Sequence, residues 1–196
     1  MTADKKIKYS FFHWGPFLYK TILAEKELHD IKKLCHKNSK DARENLAGII
    51  RHEHWIDNKK LFPIIAPYLQ SYIKALYDHH NKYLGNKIEL KSSWVNYMVK
   101  GESNPIHTHD HDLSFVIYTK IPKNLIKEYE NHVGNTKPGT INFIYSLTDR
   151  KDLINQHTFF PSVGELFIFP ACLNHYVNIF RSEGERISIS GNIEIN

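Results

Sequence analysis

Cysteine is scarce in this chain: Cys35 and Cys172 are the only two. They form no CxxC pair and no disulfide framework, which excludes a stapled secreted scaffold and a cysteine-rich zinc site. A reducing compartment is the simplest setting for such usage. No run of about 18 apolar residues occurs, so no membrane span is expected. The opening stretch MTADKKIKYSFFHWGPFLYK has no long apolar segment ending at a small-residue cleavage site, so no signal peptide is expected either. A Lys/Arg-rich run is also missing. The formal charge of +5 is carried by scattered lysines, with short pairs at Lys5–Lys6, Lys32–Lys33 and Lys59–Lys60. That is the pattern of a solvated basic surface, and no nucleic-acid partner is expected from it. There is no internal repeat, no low-complexity segment and no HExxH zinc signature.

What is present is a globular composition with one excess. Hydrophobic residues make up 41% of the 196 and aromatics 13%. A chain of this length buries about 70% of its unfolded surface and holds a core without staples. A single domain over residues 1–196 is expected. The excess is histidine, with 13 copies, and it raises the question of a metal.

The apolar pattern changes character at Gly85. Before it, residues 7–20 are dense in aromatics (Tyr9, Phe11, Phe12, Trp14, Phe17, Tyr19), broken by Gly15–Pro16. They read as a short strand or an extended arm docked on the core. From Thr21 to His36, Ile22, Leu23, Leu28, Ile31, Leu34 and Cys35 fit one helical face, with Thr21 as the cap. His52-Glu53-His54 would place both histidines on one face of a strand and Glu53 on the other, and no ligand role is assigned to it. Lys60 to Leu84 predicts the strongest helix, because Leu61, Ile64, Ile65, Tyr68, Leu69, Tyr72, Ile73, Leu76, Tyr77, His80 and Tyr83 recur at spacings of three and four. Pro63 suits its first turn, Pro67 predicts a kink or a late start, and Gly85 its stop.

After Gly85 the texture is short strands, at 87–100, 113–121, 140–147, 157–160, 165–169, 176–180 and 186–195, with a loop or short helix at 122–130. Helices first and strands after predict an α+β fold built on an antiparallel sandwich or barrel. Residues 1–85 form its mainly helical part and residues 86–196 its β core.

Ligand-type side chains concentrate in Gly101–Tyr118, GESNPIHTHDHDLSFVIY, where His107, His109, His111, Asp110 and Asp112 crowd together before an apolar strand. The complementary stretch is Gly164–Asn178, GELFIFPACLNHYVN, with His175 near the start of the next strand. Farther on, Arg186-Ile187-Ser188 places Arg186 and Ser188 on one face of a strand. Arginine offers the planar fork that binds a carboxylate. The residues alone therefore describe a metal held by two histidines of this cluster on one strand and closed by a histidine from another, His175 if it is the third ligand. A dicarboxylate anchor stands beside it.

These segments, WVNYMVKGESNPIHTHDHDLSFVIY with GELFIFPACLNHYVN and RISISGN, resemble the 2-oxoglutarate/Fe(II)-dependent dioxygenase superfamily. More narrowly they resemble small oxygenases encoded by bacteriophages and marine bacteria. The resemblance covers about Trp94 to Asn192. It implies a double-stranded β-helix, a jelly-roll or cupin-like barrel with the N-terminal helices packed on one sheet. It implies Fe(II) and 2-oxoglutarate as cofactors, with His107 and His175 as metal ligands. It also implies Arg186, Ser188 and Tyr118 at the far carboxylate of 2-oxoglutarate, and Asn96 within reach of it. The superfamily pattern is His-x-Asp, whereas this chain has His107-Thr108-His109. Either His109 replaces the carboxylate, which is the preferred assignment, or Asp110 or Asp112 swings in.

The expected activity is hydroxylation of an unidentified substrate, a small molecule or an amino-acid side chain in a peptide, using O2. The expected location is the cytoplasm, the host's if a phage encodes the chain, and an oligomer stays open. Two other classes fit parts of the pattern. A cupin-like metal protein that does not use 2-oxoglutarate accounts for the histidines but not for Arg186-x-Ser188. A non-catalytic barrel that binds without turning over accounts for the missing His-x-Asp.

Overall fold

The structure is a computed structural model and describes residues 15–37, 39–146 and 155–196. The aromatic positions Tyr9 to Trp14 and the strand end at Leu147 lie outside the described residues. Four strands, Ile88–Met98 (β3), Leu113–Lys120 (β5), Glu165–Pro170 (β8) and Arg186–Ile195 (β10), are flanked by Tyr19–Ile22 (β1) and Glu53–Trp55 (β2). Together they make a six-stranded sheet in the order β1-β8-β5-β10-β3-β2, with antiparallel pairings throughout. β5 and β8 are near-continuous apolar runs, as suits strands covered on both faces, whereas β3 and β10 mix polar with apolar residues. A four-stranded sheet is built from Asn104–His107 (β4), Ile141–Ile144 (β6), Gln156–Phe159 (β7) and Asn174–Val177 (β9), in the order β4-β9-β6-β7.

Alternation along the central strands sorts side chains into two cores. Val95, Tyr97, Phe115, Ile117, Leu166, Ile168 and Ile189 turn one way, toward the helices. Met98, Val116, Tyr118, Phe167 and Phe169 turn the other way and pack on Ile141, Phe143 and Val177 of the smaller sheet. The result is a double-stranded β-helix with helices on the outer face of the larger sheet. The sheets are not closed into a barrel, because β1 and β2 occupy the larger sheet's two edges while β4 and β7 edge the other.

The long helix runs from Asn58 to His80 (α2) and buries Leu61, Ile65, Leu69, Tyr72 and Leu76. Each such burial is worth about 1.5–3 kcal/mol relative to exposure. The helix starts earlier than expected, with the Asp57 side chain accepting from Lys59 N at 3.0 Å, and it runs through Pro67 without a late start. It stops at Asn81, not Gly85, since Asn81 takes the left-handed conformation (φ 51°) that asparagine tolerates at a helix end. The first helix is shorter than expected, Glu25–Lys32 (α1). Thr21 is not its cap. It pairs with Leu166 inside β1, and Leu23 N donates to Gly164 O at 2.9 Å, so the sheet claims these residues first. A third helix, Lys123–Asn131 (α3), fills the 122–130 segment. No helix among the described residues is long and apolar enough to cross a membrane.

Candidate active site

His107 ends β4, and the antiparallel register sets it directly opposite His175 of β9. Their ring centroids lie 4.2 Å apart, and the His109 ring is 4.8 Å from His107 and 5.0 Å from His175. One ligand nitrogen from each comes within 4.8 Å of the others. Alternation predicted that His107 and His109 share a strand, and they do not. β4 stops at His107, and His109 follows in the loop. A bond from His109 N to Ala171 O, 2.9 Å, ties that loop to the connection between β8 and β9 and keeps the third imidazole beside the other two.

Local hydrogen bonds set two of the rings. His107 Nδ1 donates to Pro105 O at 2.7 Å and His175 Nδ1 to Leu173 O at 2.9 Å. A carbonyl only accepts, so each Nδ1 carries the proton and each Nε2 keeps its lone pair. This is the tautomer in which a metal-ligating histidine is held by a backbone carbonyl. Burial lowers all three pKa values, to about 4 for His109 and about 3 for His175, with His107 adding to the effect on both. The imidazoles are thus neutral at pH 7.

The neighbouring aspartates stay out of the cluster. Asp110 is exposed. The Asp112 carboxylate accepts from Ile195 N at 2.8 Å, and its backbone bonds Ile193 O and Ala171 N at 3.0 Å each. The ligand-type groups that converge are therefore all imidazoles.

The other half of the site lies on the larger sheet. Register places Ser188 of β10 between Asn96 of β3 and Tyr118 of β5. Arg186 stands two residues earlier on the same face. These four line one cavity together with the three histidines, Trp94, Met98, Asn104 and Ile50. Arg186 is only 2% exposed. Its Nε and Nη2 find no hydrogen bond of good geometry among the described residues, and neither do Tyr118 Oη, Asn96 Oδ1 and Asn104 Oδ1. Met98 Sδ lies 3.6 Å from Nη1, and the guanidinium sits 4.8 Å from the Tyr118 ring centroid. Burial lowers the arginine's pKa and pushes the phenol up to about 12, so the pair is a cation beside a neutral hydroxyl. Among the described residues, no Asp or Glu lines the cavity.

A buried cation with no counter-ion is costly. An anion in the cavity would bring acceptors to Arg186 and Tyr118. The donor sets fit both expected groups. Neutral imidazoles with free Nε2 suit a divalent transition metal, and the planar fork with two hydroxyls suits a carboxylate.

Sequence reasoning missed Asn104, Met98 and Ile50. Asn104-Pro105 reads as a turn, yet it opens edge strand β4, where a proline is tolerated. Ile50 sits in a stretch without clear periodicity, and bonds from Ile49 N to Ser103 O and from Arg51 N to Glu102 Oε1 bring it to the cavity wall. Met98 shares its face with Trp94 and Asn96, and that alternation is its only signal.

The fold is shared with solved structures of low sequence identity. A prolyl-4-hydroxylase from Pseudomonas putida superposes with a TM-score of 0.60 at 16% identity, covering 91% of this chain and 92% of that one. A prolyl hydroxylase from Trichoplax adhaerens, solved with a hypoxia inducible factor peptide fragment, gives 0.56 at 12%, over 91% and 82%. HygX from Streptomyces hygroscopicus, solved with nickel and 2-oxoglutarate, gives 0.53 at 10%, over 93% and 83%. No curated sequence matches the chain. The sequence profile described as "Putative 2OG-Fe(II) oxygenase" matches residues 92–192, just over half of the chain and both halves of the site. The chain belongs to this family of 2-oxoglutarate- and Fe(II)-dependent oxygenases.

Proposed function

We propose that His107, His109 and His175 hold Fe(II) in this oxygenase, and that Arg186 and Ser188 anchor the far carboxylate of 2-oxoglutarate, with Tyr118 and Asn96 beside it. The observation that carries this assignment is the facing of three neutral imidazoles and a buried, unpaired arginine across one cavity. Bound there, the metal with 2-oxoglutarate and O2 would supply the oxidising power to hydroxylate a substrate C–H bond, 2-oxoglutarate being decarboxylated to succinate and CO2 with one oxygen atom of O2 going to succinate and the other to the substrate.

The chain's own residues hold and shield. Pro105 O and Leu173 O orient two ligand rings through Nδ1. Arg186 neutralises the anion and fixes its direction through a two-pronged contact. Phe169 packs 4.8 Å from the His175 ring and Trp94 5.6 Å from the His109 ring, keeping water off the ligands. The primary substrate is an amino-acid side chain in a peptide or protein. The similarity to prolyl hydroxylases, one of them seen with a peptide, supports that choice over a free small molecule. A cupin-like protein that does not use 2-oxoglutarate would leave Arg186 buried without an anion, so that reading is not adopted.

The test is slow, substrate-free conversion of 2-oxoglutarate to succinate, followed by NMR with and without Fe(II). Iron-dependent succinate that disappears in Arg186→Ala is the expected result. Turnover that survives this substitution would remove the assigned anchor.

A further inference from the structure

The cavity holds an unusual balance of charge. Its metal-ligand candidates are three neutral imidazoles. Its one charged lining residue is Arg186, which is buried and has no counter-ion among the described residues. The carboxylates nearest in sequence are engaged elsewhere or point away. Asp112 takes Ile195 N, Glu102 takes Arg51 Nε at 3.0 Å and Val99 N at 2.9 Å, and Asp110 is exposed. A divalent cation entering this pocket alone would join a buried guanidinium with no carboxylate among the described residues that line the cavity to offset either charge, which opposes its binding. A dianion spanning the two cations reverses the balance.

We infer that the metal and the dicarboxylate load as one unit: the acid-free pocket retains a divalent metal weakly by itself and tightly once a dicarboxylate reaches Arg186. This inference rests on the proposed 2-oxoglutarate reading and adds a regulatory property to it. Linkage makes the coupling reciprocal, so the metal raises dicarboxylate affinity by the same factor. A ligand set with its own carboxylate would carry part of that compensation permanently. Here the co-substrate brings it, and metal occupancy follows the supply of 2-oxoglutarate.

The experiment is calorimetric titration of the full chain with Mn(II), alone, with N-oxalylglycine and with glutarate. N-oxalylglycine can chelate the metal as well as reach Arg186. Glutarate has the same two charges without the keto group. Charge coupling predicts that N-oxalylglycine tightens Mn(II) about tenfold or more and that glutarate tightens it about fivefold. His109→Asp, which places one negative charge among the ligands, should bind Mn(II) more tightly than the parent without any anion and lose most of the enhancement. Tightening by N-oxalylglycine alone would assign the effect to chelation and overturn the charge argument. Independent binding of metal and N-oxalylglycine would overturn the coupling but leave the proposed function standing. Failure of N-oxalylglycine to bind even with saturating Mn(II) would overturn both.

Discussion

The guanidinium of Arg186 lies over the ring of Tyr118, 4.8 Å from its centroid, and two of the guanidinium nitrogens are buried with no hydrogen bond of good geometry among the described residues. The ring helps to hold the planar fork in place before any anion arrives. Lysine supplies charge without that plane, so Arg186→Lys should bind N-oxalylglycine about 10–100-fold more weakly in the Mn(II)-loaded protein. Tyr118→Phe keeps the ring and loses one hydroxyl, and should cost about tenfold or less. Calorimetry on both variants checks the order of the two effects. Full affinity in the lysine variant would show that the planar fork is not what the site uses.

Asp110 and Asp112 should separate cleanly on substitution. Asp112→Asn weakens the charge-assisted bond to Ile195 N and should lower stability by about 1–2 kcal/mol, or a few degrees in Tm. It should leave metal stoichiometry unchanged. Asp110→Asn should alter neither. Metal content by elemental analysis and thermal unfolding read the two quantities apart, and loss of bound metal in either variant would return a carboxylate to the ligand set.

Glu53 predicts a pH dependence of stability. It is 1% exposed, its Oε2 lacks a partner among the described residues, and it opposes Asn96 across the β2–β3 pair. Burial raises its pKa from 4.5 to about 7, with Glu102 and Asp41 adding to the shift and Arg43 opposing it. The folded state therefore keeps a proton that the unfolded chain releases between pH 4.5 and about 7. The contribution of Glu53 to stability should fall as pH rises through that window, opposed by the buried imidazoles of His109 and His175, whose lowered pKa values make stability rise with pH there. Glu53→Gln removes the first contribution, so its advantage over the parent should grow from pH 5 to pH 8 and reach about 1–3 kcal/mol. Urea unfolding at pH 5 and pH 8 makes the comparison, and parallel profiles for the two proteins would exclude Glu53 as the source.

Much of the site was legible because its chemistry is local in sequence. His107, His109, His175, Arg186 and Ser188 occur in short segments whose spacing survives folding. Alternation along β3 and β10 then predicted which of their residues share a face. What could not be read was pairing. Nothing in Thr21 says that β8 would claim it as a strand residue before a helix could start there. The third imidazole was placed by strand alternation, whereas a backbone bond from the loop to Ala171 O is what holds it. Asn104 and Ile50 reach the cavity through contacts between distant segments, which periodicity does not encode. The second half of HTHDHD looked like spare ligand supply, and Asp112 is instead a fastening for β10.

That fastening ties two distant stretches of the chain together. Asp112, five residues after His107, grips the far end of β10 at Ile193 and Ile195, while Arg186 and Ser188 sit at the near end of the same strand. The loop that carries His109 is therefore moored to the strand that carries Arg186 by hydrogen bonds, and a displacement of one is passed to the other along a single run of backbone.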